Sequence, residues 1–145
     1  SLNDYVNPDG IDYIGFFVAT AGEKSRLVSN ELKEKGEFYR GHIVNSVGLE
    51  LAEATSEYIH KMMRQDVGII DKDISLNEIL NAQYQGNRYS FGYPACPDLS
   101  DQRKLFNLLK PERYGISLTE EFMMYPEATV SAIVFSQPFC KYFNM

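Results

Sequence analysis

The residues best equipped for chemistry in this chain lie together in one stretch, Tyr84-Gln85-Gly86-Asn87-Arg88-Tyr89-Ser90-Phe91-Gly92-Tyr93-Pro94-Ala95-Cys96-Pro97. Arg88 carries a planar fork of donors that suits a carboxylate. Gly92 permits positive φ or a close backbone approach. Pro94 and Pro97 fix their own φ and restrict the residues before them. Such a stiff, irregular loop holds its amides and carbonyls in place, so a ligand costs less ordering on binding. From residue types alone the stretch reads either as a ligand-binding loop or as a structural connection.

Other constellations are weaker. The histidines are His42 and His60, eighteen residues apart on one predicted helix. At the helical rise that is roughly 27 Å and five full turns, so they share a face but cannot share a metal. They read as residues on a helix flank. Glu120-Glu121 and Glu50 with Glu53 invite an acid–base reading, but neighbouring surface acids are usually solvated and nothing in the sequence buries one. No Gly-x-Gly-x-x-Gly, phosphate loop or Gly-x-Ser-x-Gly elbow occurs. The sequence therefore offers no catalytic residue and no metal site.

The elements that must position the loop follow from periodicity. Asp12 to Ala21 is aromatic and β-branched and reads as a buried strand. Helical patterning begins near Lys24. The clearest helix runs from about Glu37 to Gln65, with Val44, Val47, Leu51, Ala54, Tyr58 and Met62 stepping by three and four as a buried stripe. Ser75 and Glu78 have the form of a capping box, opening a helix to about Tyr84. Asp98 starts a short helix to about Leu109, closed by Pro111. Ile116 to Tyr125 reads as a strand, Ala128 to Ser136 as a central strand apolar on both faces, and Phe139 to Phe143 as a short last segment. Strands at both ends with helices between predict a single α+β domain with a mixed, largely antiparallel twisted sheet and flanking helices.

Bulk composition narrows the classes. Fourteen basic residues against twenty acidic ones, net −6, disfavour nucleic acid as a partner. No apolar run reaches the ~20 residues that span a bilayer, and the polar N-terminus is unlike a signal peptide. Two widely spaced cysteines, Cys96 and Cys140, fit a reducing, cytoplasmic setting.

The segment YQGNRYSFGYPACPDL resembles the YQGxRxxxGYPACPxH segment in the C-terminal activation domain of cobalamin-dependent methionine synthases. The likeness extends to DYIGFFVAT, to LAEATSEYIHKMMR (51–64), to GISLTEEFMMYPEATVSAIVFSQP (115–138) and to Lys141-Tyr142-Phe143. It covers nearly the whole chain in one order. The resemblance implies the activation-domain fold over residues 1–145, as the C-terminal portion of that domain without the family's N-terminal part. It implies S-adenosylmethionine as methyl donor for reactivating cob(II)alamin to methylcobalamin, the cobalamin being presented by a separate domain. The implied partners are that cobalamin-binding domain and a flavodoxin-type or diflavin reductase. The implied activity is that of methionine synthase as a whole, which the isolated domain would not catalyse.

Carried over by position, Arg88 meets the methionyl carboxylate and the Ser90 backbone meets the adenosine. Gly92 and Tyr93 shape the pocket floor, and Tyr142 and Phe143 stand beside the ligand. Departures are specific. Tyr89-Ser90-Phe91 replaces a family Pro-Ala-Pro, Leu49 an Asp, and Tyr125 a Trp. They leave two alternatives: a reactivation-like protein for another corrinoid system, or a docking module whose Tyr89 or Phe91 ring fills the pocket.

Overall fold

Apolar, β-branched sequence near both ends of the chain folds into two seven-residue strands that pair with each other. The computed structural model describes residues 2–70 and 74–141. In chain order the elements are β1 (Ile14–Thr20), α1 (Lys24–Glu34), α2 (Phe38–Asp66), α3 (Leu76–Leu80), β2 (Asn87–Tyr89), α4 (Gln102–Leu109), β3 (Ser117–Leu118), β4 (Met124–Tyr125) and β5 (Thr129–Phe135). A three-stranded antiparallel sheet has the order β1-β5-β2, and β3 pairs with β4 in a separate hairpin. The α+β class holds, and every strand pair among the described residues is antiparallel.

β5 is the central strand, as its two-sided apolar sequence predicts. Ala132 and Val134 turn to one face, where they meet Phe17 and Ala19 of β1 with Ile59 and Met63 of α2. Phe135 turns to the other face with Tyr89, Cys140 and the Tyr5 ring, which stacks on Tyr89. Phe91, Cys96 and Leu105 form a third cluster against Ile133 and Val18. Burying side chains of this size stabilises by about 1.5–3 kcal/mol each.

The long helix corrects the sequence reading. Its buried residues are Gly41, Gly48, Ala52, Ser56, His60 and Arg64. Val47, Leu51, Tyr58 and Met62, expected inside, are 61, 55, 64 and 48% exposed, so the apolar stripe faces away from the sheet. Small residues line the inner face because α1 lies so close. A Cβ on Gly48 would sit 2.6 Å from the Ser25 Cβ, inside any real carbon contact. His60 is likewise fully buried rather than on a flank, while His42 is exposed.

Other expectations shift at their edges. The capping box forms, with the Ser75 hydroxyl accepting from the Glu78 amide at 3.3 Å and Glu78 accepting from the Ser75 amide at 2.8 Å. The helix it opens ends at Leu80, not Tyr84. Residues 116–125 form a two-residue hairpin instead of one strand, because the chain turns at Phe122, whose φ is +64°. The last predicted segment forms no strand over 139–141, and the rest of it lies outside the described residues.

Candidate functional site

The stretch singled out in the sequence is not wholly a loop. Asn87–Tyr89 is a strand, held to β5 in the register Arg88↔Val134 and Tyr89↔Ile133. Gly86 makes its entry possible, since its φ is +82° and a Cβ would lie 2.8 Å from the Phe135 carbonyl oxygen. Strand alternation then decides the side chains. Tyr89 and Phe91 turn into the core at 3 and 8% exposure. The rings that replace two prolines therefore pack inward, and both also line the adjoining cavity.

Beside this strand lies a cavity of about 350 Å³. Arg88, Ser90 and Tyr93 line it, together with Glu53 from α2 and an apolar wall that includes Leu99, Met123, Met124 and Val130. Gly92, with φ +84°, joins Phe91 to Tyr93 and donates its amide to the Cys96 carbonyl at 2.9 Å. That bond closes the turn around Pro94 and fixes the Tyr93 side of the cavity. The structure thus brings Arg88, Ser90, Gly92 and Tyr93 to one place. Tyr142 and Phe143 lie outside the described residues. The chain leading to them is tied alongside β2: Asn87 Nδ2 donates to the Cys140 carbonyl at 3.0 Å and the Tyr89 hydroxyl to the Lys141 carbonyl at 2.8 Å.

Arg88 is held by carboxylates that the sequence reading left as solvated or did not name. One guanidinium nitrogen donates to Glu57 Oε2 and the other reaches Glu53 Oε2 at 3.4 Å. Glu57 also accepts from the Tyr84 hydroxyl at 2.8 Å, and its second oxygen lies 3.9 Å from Arg64. Arg64, fully buried, stacks its guanidinium 3.8 Å from the Tyr84 ring centroid. The signal was available: Glu53 and Glu57 stand four apart on one helix face, and Arg88 is the lone cation of the loop.

Burial works against the Arg88 charge, but Glu57 and Glu53 hold its pKa above the usual value. The Tyr84 hydroxyl is pushed up to about 12 by burial and by the Glu57 charge. Burial, then the charges of Arg64 and Arg88, lower His60 to about 3, so its imidazole stays neutral. Its two ring nitrogens have no hydrogen-bond partner among the described residues, and its edge packs on Tyr84.

The site therefore has an ionic end and an apolar wall, the form of a pocket for a small ligand with a charged head. Among the described residues it gathers no nucleophile–base pair. Burial raises both cysteine thiols, which keeps them from being reactive thiolates. No group of metal-ligating side chains gathers among the described residues.

Comparison with known proteins agrees in every direction. The sequence model described as vitamin B12 dependent methionine synthase, activation domain, matches residues 1–145. The chain is 36% identical over 143 residues to methionine synthase of Mycobacterium tuberculosis (strain ATCC 25618 / H37Rv), covering 93% of the chain and 12% of that protein. It is 34% identical to methionine synthase of Mycobacterium leprae (strain TN) over the same shares. The chain thus spans about an eighth of the length of these curated relatives. Its fold is similar, with a TM-score of 0.88 and 33% identity, to the crystal structure of the MetH reactivation domain bound to AdoHcy. That likeness covers 98% of this chain and 46% of the other. The chain belongs to the family of vitamin B12 dependent methionine synthase activation domains.

Proposed function

We propose that residues 1–145 form the C-terminal portion of an activation domain that binds S-adenosylmethionine and presents its methyl group for reactivation of cob(II)alamin to methylcobalamin. The cavity beside Arg88 is the observation that carries this assignment. Its guanidinium suits the methionyl carboxylate, and the wall of Leu99, Met123, Met124 and Val130 suits the nucleoside. A relative of similar fold holds AdoHcy, the demethylated ligand. Within the cavity, the Ser90 backbone serves the adenosine and Gly92 and Tyr93 shape the floor; Tyr142 and Phe143, proposed beside the ligand by family resemblance, lie outside the described residues.

The chemistry asks little of these side chains beyond placement. A sulfonium leaves as a neutral thioether, so no proton need be delivered, and the barrier falls chiefly through an in-line approach. Cobalamin, held by a separate domain, supplies the reduced cobalt nucleophile. Arg88 anchors one end of the donor, the apolar wall anchors the other, and the Pro94 turn keeps the two ends at a fixed span. The remaining partner is a one-electron donor of the flavodoxin or diflavin reductase type. The parent activity is 5-methyltetrahydrofolate–homocysteine methyl transfer, which this domain alone does not perform. A reducing, cytoplasmic setting accords with two free thiols.

Calorimetric titration with S-adenosylmethionine tests the assignment. Arg88→Ala removes a charge-assisted contact worth about 1.5–3 kcal/mol, so affinity is expected to fall roughly 10- to 100-fold. Undiminished binding by the variant would remove Arg88 as the carboxylate anchor.

Leu49, which replaces a family Asp, favours a second reading. It is 37% exposed on α2, an apolar side chain at the surface where the family carries a charge. A reactivation-like protein for another corrinoid system would accept cobalamin domains from outside methionine synthase, and activity with methionine synthase modules alone would sink that idea. A cavity of about 350 Å³ remains beside the Tyr89 and Phe91 rings that line it, which speaks against a docking module whose ring fills the pocket.

A further inference from the structure

Arg88 and Glu53 are the two ionised side chains among the described residues lining the cavity. Their present pairing is loose, at 3.4 Å, while Arg88 is held more closely by Glu57 from behind. Glu57 in turn stands between Arg88 and Arg64 and does not line this cavity. Glu53 is therefore the carboxylate that an incoming ligand meets.

A ligand whose carboxylate takes Arg88 brings its own negative charge to the guanidinium. The loose contact to Glu53 then becomes dispensable, and Glu53 faces the rest of the ligand. S-adenosylmethionine carries two cations there, the α-ammonium and the sulfonium, whose sulfur is three carbons from the carboxylate carbon. S-adenosylhomocysteine keeps the ammonium but has an uncharged thioether. Any interaction of Glu53 with the ammonium is common to both and cancels from their affinity ratio, whereas its attraction for the sulfonium does not. We infer that Glu53 is the residue by which this cavity distinguishes the methylated sulfonium from the demethylated thioether, holding the first and releasing the second. The inference rests on the ligand assignment made above.

The side chain of Glu53 is 57% exposed, so solvent screens the attraction and the effect is modest. Calorimetry of the full chain with each ligand, in wild type, Glu53→Gln and Glu50→Gln, provides the test. Glu50 is exposed on the same helix and does not line the cavity, so its variant controls for net charge. The wild type is expected to favour S-adenosylmethionine. In Glu53→Gln the preference drops by about threefold or more, while Glu50→Gln keeps it. Added salt narrows the preference in the wild type and leaves Glu53→Gln nearly unaffected. An unchanged ratio in Glu53→Gln, or equal weakening of both ligands, overturns the inference and leaves the binding site standing. Failure of the wild type to bind either ligand overturns the site assignment, and the role of Glu53 falls with it.

Discussion

His60 makes the stability of this fold acid-sensitive well above the range where carboxylates titrate. Its ring is fully buried, neither nitrogen has a partner among the described residues, and Arg64 and Arg88 both oppose a positive charge there. The folded pKa is about 3, against 6.5 for the free side chain. The sign follows from which state binds the proton. Above pH 6.5 neither state does, and the stability is fully present. Below 6.5 the unfolded chain takes up a proton that the folded one refuses, so stability falls by about 1.4 kcal/mol per pH unit until the folded pKa is reached. At pH 5 the loss is roughly 2 kcal/mol, a large share of a marginal total. Urea unfolding of wild type and His60→Leu at pH 7, 6 and 5 isolates this contribution, because groups common to both proteins cancel in the difference. His60→Leu is expected to lose about 2 kcal/mol less than wild type over that interval. Equal losses in wild type and His60→Leu would show that the imidazole reaches solvent or a partner in the folded state, and the argument would fail.

Two further outcomes check the architecture around the site. Gly48→Ala gains about 1 kcal/mol of helix propensity but drives a methyl group to 2.6 Å from Ser25 Cβ, an overpacking cost of about 1–3 kcal/mol. Chemical denaturation should show net destabilisation that Ser25→Gly relieves in the double variant; a Gly48→Ala protein more stable than wild type would mean the helices are not that close. Glu57→Gln removes the charge that Arg88, Arg64 and Tyr84 all address, at about 3 kcal/mol by analogy with broken buried pairs. The half-exposed Glu53→Gln costs under about 1 kcal/mol, so urea midpoints that rank the two the other way would contradict the geometry.

The sequence declared some of this fold and hid the rest for physical reasons. β1 and β5 were readable because β-branched and aromatic residues crowd them, and the Ser75 cap because its hydrogen bonds are local. The orientation of α2 was not. Its apolar residues look inward by any periodicity rule, yet the inner face carries glycines to admit α1 and, beyond them, His60 and Arg64 packed on the Tyr84 ring, whose hydroxyl donates to Glu57. β2 was hidden because three residues in a glycine- and proline-rich stretch become a strand only through pairing with β5, more than forty residues onward. Of the residues that family resemblance pointed to, Arg88, Ser90 and Tyr93 line the cavity, Gly92 lies in the turn beside them, and Tyr142 and Phe143 lie outside the described residues. The partners that hold Arg88 emerge only when α2 and β2 are set side by side.

The pairing of β1 with β5 also dictates an order of events during synthesis. Thr20 and Thr129, which hydrogen-bond across the two strands, are 109 residues apart. At about 5–20 residues per second, β1 emerges from the ribosome many seconds before its neighbour exists. During that interval Ile14, Phe16, Phe17 and Val18 present a strand with nothing to pair with, an invitation to association between nascent chains. The helical hairpin of α1 and α2 is made next and needs only local contacts. Met63 already packs over Gly15 in the finished fold, so the same helix can shelter one face of β1 as a provisional cover, leaving its backbone edges for β5 to complete.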